Sequence, residues 1–185
     1  ITVIFFIIII SNCSSNNVSS QHKIQVNYDQ GIDFYNNKKY SKAKESFQYV
    51  ILNSSGSRLA LESEFYLSES LYYLKEYEEA LYGYDNYARS SQNLNLIERS
   101  RFRLSECAYN LAADYTKDQT TTLDAIDKIE IFLEDYPNSE YYLDIFPLKL
   151  DLQYRLVKKK YESAILYMKL QEYKSALVYL FDILN

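Results

Sequence analysis

The sequence predicts an all-α protein built from repeated pairs of helices, and three observations lead to this prediction. The 185 residues include only 3 Gly and 2 Pro, far fewer turn residues than a β-sandwich or β-barrel needs. Apolar residues make up 48% and charged residues 24%, which is typical of a folded chain and excludes bulk disorder. Part of the sequence also recurs further along the chain, which is a mark of repeat architectures.

The recurrence has a fixed spacing. The stretch at 65–74 resembles the stretch at 102–111, and the pattern Tyr-x-x-Ala recurs at 40–43 and 77–80. A period in the thirties, with small residues in the middle of the first helix, resembles the tetratricopeptide repeat. The recurring positions of the second helices are Tyr40, Ala43 and Phe47, and 37 residues later Tyr77, Ala80 and Tyr84.

This resemblance implies a right-handed superhelical solenoid of about four helix pairs, incomplete at both ends, with a concave groove. The first helices are predicted at about 25–37, 58–74, 95–115 and 140–170, and the second helices at about 40–53, 77–91, 121–135 and 173–184. The predicted repeat positions are Gly31, Phe34, Ala43, Phe47, Val50, Ser68, Leu71, Ala80, Tyr84, Tyr87, Ser105, Ala108, Ala125, Ile129, Phe132, Pro137, Ala164, Tyr167, Ala176, Leu180 and Ile183.

A second stripe, of aromatic and acidic residues, follows the first helices. In tetratricopeptide proteins these positions commonly line the concave face, which implies a groove that holds an extended peptide by apolar contact and by tyrosine hydroxyls. The same rings alternatively pack between adjacent repeats, and the sequence leaves both interpretations open. The candidate peptide-binding residues are Tyr28, Tyr35, Phe65, Glu69, Tyr72, Phe102, Glu106 and Tyr109.

The N-terminal segment predicts export and anchoring. Residues 1–10 form an uncharged apolar run that is too short to span a bilayer and fits the core of a signal peptide. The following Ile-Ser-Asn-Cys sequence resembles a bacterial lipobox, which implies a signal peptide at 1–12 and lipidation of Cys13. Residues 13–23 are then predicted to form a flexible tether, and 24–185 the repeat domain. The alternative is an ordinary secretory signal with an incidental cysteine.

Composition excludes several classes of function. The net charge of −5 and pI near 5.0 leave no basic surface for nucleic acid. One His and two Cys are too few for a zinc site or a disulfide framework. A Gly-rich phosphate loop is absent from the sequence. We therefore expect a protein that is not an enzyme and has no metal or cofactor.

The order of these features is similar to that of the BamD family of outer-membrane assembly lipoproteins. The loop at 118–122, the segment at 132–141 with its Tyr-Pro-Asn-Ser sequence, and the motifs at 161–164 and 173–176 resemble that family's third and fourth repeats. The resemblance implies a lipid-anchored subunit on the periplasmic face of the outer membrane. Its implied partners are a BamA-like barrel protein, other subunits of the β-barrel assembly machinery, and unfolded outer-membrane proteins.

Two other classes of function remain open. One is a generic tetratricopeptide lipoprotein that acts as a scaffold for another envelope complex, such as cell-wall synthesis. The other is the helical accessory domain of an enzyme.

Within the family resemblance, residues 24–91 are implied to receive substrate segments and residues 95–185 to bind the barrel protein.

Overall fold

The computed structural model describes residues 20–184, and this part of the chain is all-α as predicted. The predicted helix bounds agree with the structure within a few residues, except that the first helix begins at residue 20. Residues 20–23, which the sequence assigned to the tether, are therefore helical. The signal-peptide and Cys13 predictions lie outside the described residues. The helices are α1 (20–36), α2 (Tyr40–Asn53), α3 (Arg58–Tyr73), α4 (Tyr77–Ser90), α5 (Leu94–Leu111), α6 (Thr120–Asp135), α7 (Tyr142–Lys169) and α8 (Tyr173–Leu184).

Local sequence explains where these helices begin and end. The Ser57 side chain caps α3 by accepting a hydrogen bond from the backbone of Ala60, at 3.1 Å. Asn93 caps α5 through the backbone of Leu96 in the same way, at 3.3 Å. Pro137 comes two residues after the end of α6, and a proline at this point cannot continue the helix.

Three of the turns inside helix pairs share one backbone conformation. Lys38, Lys75 and Gln171 have φ values of 58°, 64° and 63°, in the left-handed region. In each turn the backbone N–H groups fold back onto carbonyls of the preceding helix, which is a Schellman motif. The turn reverses the chain in three residues, so the two helices of a pair pack against each other.

The chain divides into two compact units, one up to Gln92 and one from Asn93. In the first unit, α1 packs on α2 and α3, α2 packs on α3, and α3 packs on α4. A Cβ atom at Gly31 would lie 2.7 Å from the fully buried ring of Phe47, so glycine allows α1 and α2 to approach closely. The core of this unit includes Phe47, Val50, Phe65 and Tyr84.

In the second unit, α5 packs on α6 and α7, α6 packs on α7, and α7 packs on α8. Ile129, Phe132, Ile145 and Leu152 form the centre of its core. Pro147 lies in the second turn of α7, where it has no backbone N–H to donate to the carbonyl four residues earlier, and the helix continues through it to Lys169. Within residues 20–184, none of the helices is both long enough and apolar enough to be a membrane span.

Most predicted repeat positions are buried in these two cores, and this confirms the helix-pair assignment. The exceptions lie at edges of the structure. Pro137 is exposed because it follows the last turn of α6. Partial burial is found at Phe34, Tyr167, Leu180 and Ile183.

The long loop between α5 and α6 is held by its own polar groups. The Thr121 hydroxyl accepts a hydrogen bond from the backbone of Ala113 at 3.1 Å, and Asp118 accepts one from the backbone of Thr120 at 2.9 Å. The Lys158 ammonium of α7 lies 4.1 Å from the centre of the Tyr115 ring. The loop is therefore tied to both α6 and α7.

Candidate peptide-binding site

Tyrosines of the predicted stripe donate hydrogen bonds to acids on the first helix of the following pair. In the first unit, the Tyr28 hydroxyl donates to Glu62 at 3.2 Å and the Tyr35 hydroxyl donates to Glu69 at 2.7 Å. Both bonds run from α1 to α3. Each acid lies 34 residues after its tyrosine, so the same contact is made twice, two helical turns apart.

Glu69 is the centre of the first unit's polar contacts. Its side chain is fully buried, and the Tyr84 hydroxyl of α4 donates to its Oε1 at 2.7 Å while Tyr35 donates to its Oε2. A buried carboxylate is costly unless it is hydrogen-bonded, and these two hydroxyls provide that compensation. Glu69 thereby joins α1, α3 and α4.

The second unit repeats the arrangement with an added cation. The Tyr109 hydroxyl of α5 donates to Asp151 of α7 at 3.0 Å. Arg155 forms an ion pair with the same carboxylate at 2.7 Å and lies 5.0 Å from the centre of the Tyr109 ring. Burial raises the pKa of the Tyr109 hydroxyl, and the hydrogen bond to Asp151 raises it further. Burial also raises the pKa of Tyr28, with Glu62 as the second cause.

Three of the predicted groove residues do not line a surface. Phe65 is 2% exposed and packs against Tyr84 and Tyr87, while Phe102 is 5% exposed and stacks on Tyr141 at 4.4 Å. Glu69 is fully buried, as described above. The expectation that these three side chains contact a peptide is therefore corrected, because neighbouring helices cover them.

The remaining stripe residues are half-buried. Tyr72 makes edge contacts with Tyr73 and Tyr77, with ring centres 5.4 and 5.8 Å away. Glu106 accepts a hydrogen bond from Arg103 one turn earlier on α5, at 2.6 Å. Accessible parts of the predicted stripe thus exist at Tyr28, Tyr35 and Tyr72 in the first unit, and at Glu106 and Tyr109 in the second.

Chemically, this arrangement offers apolar ring faces for contact, while the hydroxyls of Tyr28, Tyr35 and Tyr109 are already committed to acids of the same chain. Among residues 20–184, no group of three or more His, Cys, Asp or Glu side chains is placed to hold a metal ion.

Sequence reasoning missed the partners Glu62, Tyr84, Asp151 and Arg155. A signal for Glu62 and Glu69 was present, because each acid lies three residues before the position equivalent to its tyrosine in the next pair. Asp151 lacks this regular spacing, because a longer loop separates α5 from α6.

The family of outer membrane lipoproteins named YfiO matches residues 20–184, which is all of the described structure. One curated relative, the outer membrane protein assembly factor BamD of Rickettsia prowazekii (strain Madrid E), is 26% identical over 147 residues. The match covers 78% of this chain and 58% of that protein, so the chain spans a little over half the length of this relative.

Proposed function

This chain belongs to the YfiO family of outer membrane lipoproteins, and we propose on that basis that it is a non-enzymatic subunit of the outer-membrane β-barrel assembly machinery. The observation that carries the proposal is the family match over residues 20–184, together with the relative named as an assembly factor. In this role the protein binds a BamA-like barrel protein and receives unfolded outer-membrane proteins on the periplasmic face.

The proposed anchor is a lipid chain on Cys13. Two or more acyl chains hold a protein stably at a membrane, since each buried CH₂ contributes about 0.8 kcal/mol. We propose that the polar residues that follow Cys13 link the lipid anchor to the helical units.

We place the binding of substrate segments in the first unit. The half-buried rings of Tyr28, Tyr35 and Tyr72 present apolar surface of the kind that holds an extended peptide. Because two of their hydroxyls are committed to Glu62 and Glu69, the rings rather than the hydroxyls make the contact. The two acids, fully buried Glu69 and partly exposed Glu62, fix the orientation of the rings.

We place the binding of the barrel protein in the second unit, on α7. Large apolar side chains recur there at intervals of three and four residues on one face of the helix, although they are exposed. Such a stripe is uncommon on a free surface and is typical of a protein interface. Its members are Leu143, Phe146, Leu150, Tyr154, Val157 and Tyr161.

Purification of the complete lipoprotein from membranes of its host, followed by mass spectrometry, tests this function. We expect a BamA-like barrel protein in the complex. The double substitution Leu150→Ser and Tyr154→Ser should release it, because both side chains are at least half exposed and belong to the α7 stripe. Gln153→Ser, an exposed polar position of the same helix, is the matched control and should retain the partner.

A complex that contains cell-wall synthesis enzymes and no barrel protein would contradict the proposal and favour a generic envelope scaffold. If the barrel protein is retained by the Leu150→Ser and Tyr154→Ser variant, the function stands but the interface lies elsewhere. Circular dichroism of both variants establishes whether they keep the helix content of the wild type.

A further inference from the structure

A second groove lies on the first unit, between α2 and α4, with α3 as its floor. Its cavity volume is about 510 Å³, within the range of about 300–1,000 Å³ that is common for binding pockets. Leu67 and Leu71 form the floor, while Ile51 and Tyr82 form the two walls. The Tyr82 side chain is 71% exposed, so a large aromatic ring stands at the rim without being needed for the core.

This groove is separate from the tyrosine stripe. On α3, Glu62 and Glu69 point to α1, where they bind Tyr28 and Tyr35. Glu64, Leu67 and Leu71 are spaced i, i+3, i+7 along α3. They therefore lie on a different face of this helix from Glu62 and Glu69. Occupation of one surface therefore leaves the other accessible.

Three carboxylates give the groove a negative charge. Glu64 lies half-buried at the floor of the groove and accepts a hydrogen bond from the Asn86 amide at 3.1 Å, and burial raises its pKa. Glu78 and Glu79 are exposed at the rim. None of the described residues that line the groove is basic; the Lys44 ammonium, outside the lining, lies 3.8 Å from Glu79 but is bound mainly to Glu76.

We infer that this groove binds a segment of a partner protein in which a large apolar side chain is flanked by lysine or arginine. The apolar side chain covers Leu67, Leu71 and Tyr82, and the cations pair with Glu64 and with the rim acids. Pairing compensates a carboxylate that the fold has partly removed from water. The negative charge of the groove disfavours anionic occupants such as nucleic acid or acidic lipid.

The chain's own N-terminal segment lacks this complementarity. Residues 1–19 contain no lysine or arginine, so they offer no cation for Glu64. We therefore take a partner protein, rather than residues 1–19, as the inferred occupant. This inference is independent of the proposed function, because it rests on the groove and its charges alone.

Binding of labelled peptides to the full chain, followed by fluorescence anisotropy, tests this inference. The probe is a short peptide with two phenylalanines flanked by lysines. One control peptide has glutamate in place of lysine, and the other has serine in place of phenylalanine. We expect binding of the first peptide only.

Substitutions in the groove identify the site. The double variant Glu64→Gln and Glu79→Gln should weaken binding about tenfold or more, because it removes carboxylates that pair with the lysines of the peptide. Tyr82→Ser should also weaken binding about tenfold or more, because it removes an aromatic ring that contacts the phenylalanines. The matched control is Glu134→Gln with Glu140→Gln, which changes the net charge equally at exposed positions of the second unit. Thermal melting of every variant separates loss of binding from loss of fold.

Several outcomes would overturn the inference. These are no binding of the phenylalanine–lysine peptide, equal binding of either control peptide, or equal weakening by the Glu134→Gln and Glu140→Gln pair. Competition by a peptide of residues 1–19 would assign the groove to the chain itself. Self-association that the groove variants abolish would assign it to a second copy.

Discussion

Glu69 shows how single residues connect the helices of the first unit. Its buried carboxylate accepts hydrogen bonds from the hydroxyls of Tyr35 on α1 and Tyr84 on α4, so one side chain connects three helices. A charge-assisted hydrogen bond is stronger than a neutral one, and its loss leaves a buried charge less well compensated. The stripe tyrosines therefore contribute to stability as well as offering ring surface, and their replacement by alanine would not separate the two roles.

Tyr84→Phe should lower the free energy of unfolding by about 1.5–3 kcal/mol, because it removes only the hydroxyl that donates to buried Glu69. Tyr82→Phe is the matched control on the same helix. Its ring is largely exposed, so its effect should stay within about 0.5 kcal/mol. Urea unfolding of both variants measures the difference, and equal small losses would show that the Glu69 charge does not depend on Tyr84.

Cys13→Ala should prevent lipidation and release the protein from the outer-membrane fraction. The physical reason is the loss of the acyl chains whose burial anchors the protein. Metabolic labelling with a fatty-acid analogue measures the modification directly. Cys107→Ala is the control and should remain labelled, because Cys107 is a fully buried thiol in the core of the second unit. A wild-type protein that takes up no label would contradict the lipobox prediction.

At the scale of elements, the recurring turn determines how each helix pair is closed. At Lys75, the backbone N–H donates to Tyr72 and the next N–H, of Glu76, donates to Leu71. These bonds satisfy carbonyls at the end of α3, but they require a left-handed conformation at Lys75 that a side chain disfavours. The same turn thus occurs three times with a residue other than glycine at the left-handed position.

Lys75→Gly should raise the free energy of unfolding by about 0.5–1 kcal/mol, because glycine adopts the left-handed conformation without steric cost. Lys75→Ala is the control and should give no gain, since alanine keeps the Cβ atom. Urea unfolding compares the three proteins. A glycine variant no more stable than the alanine variant would show that the turn is unstrained.

An ion pair between elements makes stability depend on pH. The hydrogen bond and charge of Lys44 on α2 lower the pKa of Glu76, at the start of α4, below its ordinary value of 4.5. Glu76 in turn raises the pKa of Lys44 above 10.5. The stabilisation is therefore complete between these ordinary values. It is lost as the pH falls through the lowered pKa of Glu76 or rises through the raised pKa of Lys44.

Lys44→Met should therefore lower the free energy of unfolding by about 0.2–1 kcal/mol at neutral pH, as is usual for partly exposed pairs. The difference from the wild type should shrink when the pH falls below 4.5, where Glu76 becomes protonated. Urea unfolding between pH 3 and pH 8 measures this difference. A constant difference across the range would show that lost packing of the lysine stem, rather than charge, causes it.

At the scale of the whole molecule, the repeat pattern was sufficient to predict the helix pairs and most of their buried residues. Ala43, Ala80 and Ala125 illustrate this, because small residues recur where two helices touch and are fully buried there. The sequence did not separate accessible stripe residues from buried ones. Phe65 and Tyr72 are two turns apart on one face, yet Tyr84 and Tyr87 cover only the first.

The partners of the tyrosines depend on how far one helix is shifted along the next, which helical periodicity does not specify. Asp151 meets Tyr109 across 42 residues of sequence, whereas Glu62 meets Tyr28 across 34. The second groove, between α2 and α4, was likewise not predicted. Its residues are scattered over three helices, and Glu64 and Tyr82 look like ordinary surface residues when taken singly.

Depletion of the protein in its host, with quantification of outer-membrane proteins by mass spectrometry, tests the proposed function most directly. A subunit of the barrel assembly machinery should be required for many β-barrel proteins at once. We therefore expect barrel proteins to decline in the outer membrane and unfolded barrel proteins to accumulate in the periplasm, while lipoproteins unrelated to assembly keep their levels. Unchanged barrel proteins, together with a defect confined to the cell wall, would contradict the account.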